Sequence, residues 1–100
     1  MIKKSYKNTD GTSFHGATIH AKLRDLIDTF GPAHNHQSDT RDKVQNSWNL
    51  ELEDGTLFTL YDWKEYRAYD IDEIIEWHIG GHNSEDTTKA LNALLIGSHE

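Results

Sequence analysis

One hundred residues with no cysteine and a formal net charge of −7 describe one domain, built without disulfides, thiol nucleophiles or cysteine-based zinc sites. That charge, with a sequence pI near 5.4, speaks against direct nucleic-acid binding, which draws its affinity from neutralising phosphates. Met1-Ile2-Lys3-Lys4 leads into polar residues and no long apolar run follows, so neither a leader nor a membrane span is expected and the expected compartment is the cytoplasm. The mean hydropathy of −0.79 is low. The ten aromatics and the β-branched strand residues still argue for a folded chain.

Residues 1–13 are polar, with Asn8-Thr9-Asp10-Gly11 as a turn signal. Lys3 to Tyr6 fits a short edge strand. Ile19, Leu23, Leu26, Ile27 and Phe30 then recur at helical spacing, which predicts a helix capped by Thr18 and stopped by Gly31-Pro32. Residues 33–43 hold one alanine and no larger apolar side chain. They are expected to form an exposed loop, long for so small a domain.

From Val44 the period becomes two. Val44, Asn46, Trp48, Leu50 and Leu52 share one face, and Gln45, Ser47, Asn49, Glu51 and Glu53 share the other. Asp54-Gly55 signals a two-residue hairpin turn. The return strand, Thr56 to Asp62, carries apolar bulk on both faces and is expected to lie centrally in the sheet. Ile71 to Ile79 fits a turn followed by a short strand ending at Gly80-Gly81. Ser84 is the expected cap of a last helix, with Ala90, Leu91, Leu94 and Leu95 as its buried stripe and Gly97 as its stop. Two amphipathic helices and one sheet must bury one another. The expected fold is a single α+β domain, 1–100, of two layers: an antiparallel sheet of three to four strands with two helices on one face.

Several groups could carry chemistry. His34 and His36 stand at i, i+2, where an extended segment points both rings the same way, towards one metal ion. A third ligand would have to come from elsewhere. The same pair fits a polar loop that holds no metal. His78 and His82 flank Ile79-Gly80-Gly81, just ahead of a helix. Backbone N–H groups in such a turn can meet a phosphate, or the glycines can serve only the turn itself. Glu51, Glu53 and Asp54 on the hairpin, with Asp39 and Asp42 on the preceding loop, form a set of carboxylates suited to a basic groove. Tyr61, Trp63, Tyr66 and Tyr69, beside Lys64 and Arg67, suit a protein interface or the stacking of a base. No nucleophile motif stands beside these strands, so the expected role is not enzymatic and calls for no cofactor.

The order of motifs adds a further point. Gly11-Thr12-Ser13-Phe14-His15-Gly16, a helix ending Phe30-Gly31-Pro32, Glu53-Asp54-Gly55-Thr56, Leu60-Tyr61-Asp62-Trp63-Lys64 and Trp77-His78-Ile79-Gly80-Gly81 resemble a group of small bacteriophage-encoded proteins. The resemblance spans roughly residues 11–96, and it implies phage origin and a shared fold. The loop His34-Asn35-His36-Gln37-Ser38-Asp39-Thr40-Arg41 departs from the Gly/Ser/Asp-rich loop of that group.

Small acidic phage proteins of this kind commonly act on host machinery. The expectation is an inhibitor, in the host bacterial cytoplasm, of an anti-phage defence component with a basic surface, such as a CRISPR effector. Asp39, Asp42, Glu51, Glu53 and Asp54 would supply charge, and Trp63, Tyr66 and Tyr69 the anchors. The alternative is a sponge for an immune nucleotide messenger, using His78, Gly80, Gly81 and His82. That role would call for a homo-oligomer, since so small a monomer has little room for a deep pocket. A metal-dependent hydrolase built on His34 and His36 is the third reading.

Overall fold

Period-two patterning dominates the centre of the chain, and the computed structural model, which describes residues 2–97, builds a sheet from it. Met1, with which the polar N-terminal stretch opens, and residues 98–100 lie outside the described residues. The elements in order are β1 (Lys3–Lys4), β2 (Ser13–Lys22), α1 (Leu23–Phe30), β3 (Asn35–His36), β4 (Asn46–Glu51), β5 (Leu57–Asp62), β6 (Ile74–Gly81) and α2 (Ser84–Gly97). All strand pairs are antiparallel. The order across the sheet is β1-β4-β5-β6-β2, with β3 also on β4.

Six strands stand where three to four were expected. β1 is the expected edge strand, cut to Lys3–Lys4, and β3 is an addition; the two dipeptides lie end to end along the outer edge of β4. They pair Lys3 with Glu51 and His36 with Asn46. The other addition is β2, and it is a correction. The segment read as the first half of a helix is strand as far as Lys22, and α1 is only Leu23–Phe30. Ala17, Ile19 and Ala21 alternate with Thr18, His20 and Lys22, and Ile19 pairs with Trp77. The Ile19–Leu23 spacing that looks helical arises from a strand running straight into a helix. Pairing with β6 overrides it, and the Trp77 indole donates to the carbonyl of Ala21 at 3.0 Å.

β5 is central, as expected. The turn before it differs from the expected form: Gly55 donates to Leu52 at 2.9 Å and has φ 87°. The glycine thus follows a tight turn in the left-handed conformation, giving a three-residue loop. At α2, Asn83 rather than Ser84 caps the helix. Its side-chain oxygen accepts the Asp86 N–H at 2.8 Å.

The core is one cluster. Trp48 and Leu50 of β4, Phe58 and Leu60 of β5, and Ile75, Trp77 and Ile79 of β6 meet Leu26 of α1 and Ala90 of α2. Trp48 and Trp77 are fully buried and pack edge to face at 5.6 Å, the arrangement ring quadrupoles favour. Leu91 and Leu94 pack at the margin of this cluster, whereas Leu95, expected within the stripe, is 49% exposed. Gly81 seats α2, since a Cβ there would stand 2.8 Å from the Thr87 methyl.

A half-open aromatic face

The alternation that sends Phe58, Leu60, Trp77 and Ile79 into the core sends Thr59, Tyr61, His78 and Gly80 to the other side of the same two strands. Tyr61 and His78 are register partners, and their rings lie 5.5 Å apart. Phe14 on β2 pairs with Gly80. With no side chain opposite it, the Phe14 ring lies flat on His78, 4.1 Å away at 19°. Trp63, just beyond β5, stacks on His78 from 5.9 Å at 26° and meets Tyr61 nearly at a right angle, 6.1 Å away. The imidazole is thus shared by three aromatic rings. Phe14 and Trp63 remain 43% and 38% exposed, and the Lys64 ammonium stands 5.5 Å from the centre of the Trp63 ring.

Backbone shape makes this face concave. β2 slips register between Phe14 and Thr18, and its start bends over the face, so that the Ser13 carbonyl lies 3.6 Å from where a Cβ of Gly80 would stand. That Cβ would collide with the Thr59 hydroxyl, so Thr59 is the neighbour that favours glycine at 80. On the far side the chain turns sharply after Trp63. Lys64 and Tyr66 adopt φ 54° and 52°, a left-handed conformation that costs a non-glycine residue energy. The Lys64 N–H donates to the Lys43 carbonyl at 2.7 Å and holds the turn. Between these walls is a depression of about 320 Å3, lined among others by Ser47, Asn49, Thr59, Tyr61 and Trp63.

Beneath its edge runs a buried polar chain. Asp62, 1% exposed, accepts the N–H groups of Gln45 and Asn46 at 2.7 and 3.2 Å and the Tyr69 hydroxyl at 2.5 Å. Tyr69 in turn accepts from the Asn46 amide at 2.7 Å, and the Asn46 oxygen meets His36 Nδ1 at 2.7 Å. Burial, and next the bond to Asp62, push the Tyr69 hydroxyl far above its usual pKa. Tyr69, read as an exposed anchor, is therefore an internal strut.

The histidine pair does not converge. His36 engages Asn46, while His34 Nδ1 accepts the Asn49 N–H at 3.2 Å. Ser5 donates to the Asn49 carbonyl at 2.8 Å. The His34 ring thus stands in for a backbone acceptor in the gap between β1 and β3. Burial, and next the nearby Lys4, hold its pKa below the ordinary value. Among the described residues no group of three His, Asp or Glu is arranged to hold a metal ion.

The carboxylates are dispersed rather than arrayed. Glu51, expected to offer its charge to a basic groove, is 6% exposed and paired with Lys7 at 3.1 Å, which holds its pKa low. Asp39 is held low by Arg41, 2.8 Å away. Asp42 closes a turn with Asp39. Asp54 accepts the Thr56 N–H at 2.9 Å and lies 3.4 Å from Lys89. Glu53 is exposed in the hairpin turn, and Tyr66 is 49% exposed.

Gly80 and Gly81 lie inside β6, not in a turn after it. They pair with Phe14 and Thr59, and with Ser13 and Phe58. Backbone committed to two neighbouring strands is not free to cradle a phosphate, and His82 sits apart, near Gly11. Of the four residues read as one ligand site, only His78 and Gly80 face the depression side. Phe14, Ser47, Asn49 and Thr59 were not singled out in the sequence. The signal for the last three was the polar, largely uncharged alternate face of β4 and β5. Phe14 offered only a lone aromatic in a polar stretch.

These features define a small antiparallel α+β domain with a half-open aromatic face and a depression beside it whose lining side chains carry no formal charge. No family model matches the chain, and no curated protein or solved structure matches it. No helix among the described residues is long and apolar enough to cross a membrane.

Proposed function

We propose that this chain is a non-enzymatic binding protein of phage origin that captures and blocks a component of a bacterial anti-phage defence. It acts in the host cytoplasm, through the face of Phe14, Tyr61, Trp63 and His78. The observation that carries the binding role is the exposure of Phe14 and Trp63 while both are braced on His78. Rigid, half-exposed aromatics are the usual anchors of an interface, because little side-chain freedom is lost on docking. The reading takes both helices to lie in one layer on the core side, which leaves the aromatic side of the sheet to the partner. The resemblance in motif order supports phage origin. The net charge of −7 supports a partner with a basic surface, such as a CRISPR-type effector, which long-range attraction would bring in quickly.

The structure changes which residues bear that reading. Glu51 is paired internally, and Asp39 and Asp54 each have a cation at hand. The acidic residues thus steer the encounter, and the aromatic face makes the contact. The test is phage plating on bacteria that carry a defined defence system. The native chain restores plating, and the Phe14→Ala, Trp63→Ala pair does not, although it is equally abundant and folded. Failure of the native chain on every defended strain would remove this function. Equal rescue by the pair would remove the face.

A second reading, a sponge for a nucleotide messenger, is favoured by one observation: the depression beside Trp63 sets hydroxyl and amide side chains beside apolar and aromatic ones.

A further inference from the structure

We infer that the depression beside Trp63 is a binding site for a purine-type nucleobase carried by a small, free nucleoside or nucleotide. The inference rests on the half-open face described above, but it does not depend on a protein partner docking there.

The argument starts from the lining. Tyr61 and Trp63 meet at 78° and both line the depression, so a flat ring seated there would touch both. Stacking on an aromatic side chain is open to every base, because each has a π-face. The Trp63 ring is already fixed by His78 and Tyr61, so little order remains to be imposed.

The polar groups narrow the ligand further. Ser47 and Tyr61 are register partners, as are Asn49 and Thr59, so hydroxyls and one amide stand side by side along β4 and β5. An asparagine amide offers a donor next to an acceptor, the pattern that pairs with adenine N6 and N7. None of the lining residues carries a formal charge, although the chain as a whole holds −7. An ionic group is therefore not what the depression recognises. A neutral planar ring with donors and acceptors on its edge is. The Lys64 ammonium stands 5.5 Å from the centre of the Trp63 ring, a cation within reach of a sugar phosphate that leaves the site past Trp63. A volume of about 320 Å3 falls at the small end of ligand sites, consistent with a nucleoside rather than a larger cofactor. The acidic balance disfavours a nucleic-acid strand as the source of the base.

Fluorescence provides the test. Of the three tryptophans, Trp48 and Trp77 are fully buried and Trp63 is exposed, so quenching on titration with adenosine reports stacking at Trp63. Saturable quenching is expected with adenosine and at least as tightly with adenosine monophosphate, and none with ribose. Asn49→Ala should weaken binding by roughly 5- to 150-fold, in line with the loss of one base-edge contact. Trp63→Leu, read by calorimetry, should weaken it similarly. The near-ultraviolet dichroism of the Trp48–Trp77 pair shows whether each variant is folded.

No saturable binding of adenosine, guanosine or their monophosphates at millimolar concentration would overturn the site. So would unchanged affinity in both folded variants. Tighter, salt-sensitive binding of an oligodeoxyadenylate would overturn the free-nucleotide source. Rescue of phage plating is a separate readout. Loss of nucleoside binding in Asn49→Ala with full rescue would leave the docking role intact.

Discussion

His34 shows how one side chain can take the place of a strand. Its Nδ1 must be unprotonated to accept the Asn49 N–H, and its folded pKa is lowered from 6.5. The unfolded chain therefore binds a proton that the folded one resists. Stability is full above the unfolded value and falls as pH drops through it towards the folded value. Thermal melts should therefore lose stability as the pH falls through about 6.5. His34→Gln, whose amide oxygen can accept the same N–H at any pH, should flatten that slope while melting lower at neutral pH. An unchanged slope would rule out this assignment. The carboxylates held low by Arg41, by Lys7 and by the Thr56 hydroxyl and next its N–H act in a separate, more acid window, where their contribution is lost as pH falls through their depressed values. Gly80 offers a second residue-scale prediction. Gly80→Ala should cost about 1–3 kcal/mol through its clash with the Thr59 hydroxyl. Thr59→Ala should recover part of that cost, so urea melts of the double variant should show less than the sum of the two single losses.

At the scale of elements, the segment after β5 is tied down by Tyr69 rather than by its own structure. Tyr69→Phe removes the hydroxyl from buried Asp62 and from the Asn46 amide. It should destabilise the fold by about 1–3 kcal/mol, because a buried acceptor loses its partner. A urea midpoint unchanged from the native protein's would show the bond to be dispensable. The same segment marks the limit of what the sequence discloses. β4, β5 and α2 were legible because alternation or a cap signal repeats several times within each. β2 was not, because Ala17, Ile19 and Ala21 are small or single apolar residues, and only Trp77 and Ile75 across the sheet give their alternation meaning. The candidate site was half legible for the same reason. Trp63 and His78 stand out by residue type, whereas Phe14, Asn49 and Thr59 gain their role only from register with neighbours far along the chain. Glu51 and Tyr69 look like surface residues by type, but each is internally partnered.

At the scale of the molecule, local and distant pairings separate cleanly. β4, β5 and β6 form a meander of neighbours, whereas β1 reaches across to β4, with Lys3 on Glu51, and β2 to β6, with Ser13 on Gly81. Distant pairing slows folding, and refolding is expected in milliseconds to seconds rather than microseconds. The meander should form first. Leu60→Ala should therefore slow refolding, and Ile19→Ala should mainly speed unfolding. Stopped-flow measurements that found the reverse would place the nucleus at β2. The reach of β2 also matters while the chain is being made. At about 5–20 residues per second, β2 leaves the ribosome several seconds before β6, the strand it pairs with. Throughout that interval Ile19 and its neighbours are exposed to every other nascent chain nearby. The yield of soluble protein should then depend on the pace of translation between the two strands, and a pause placed just ahead of β6 should lower it without changing a single residue.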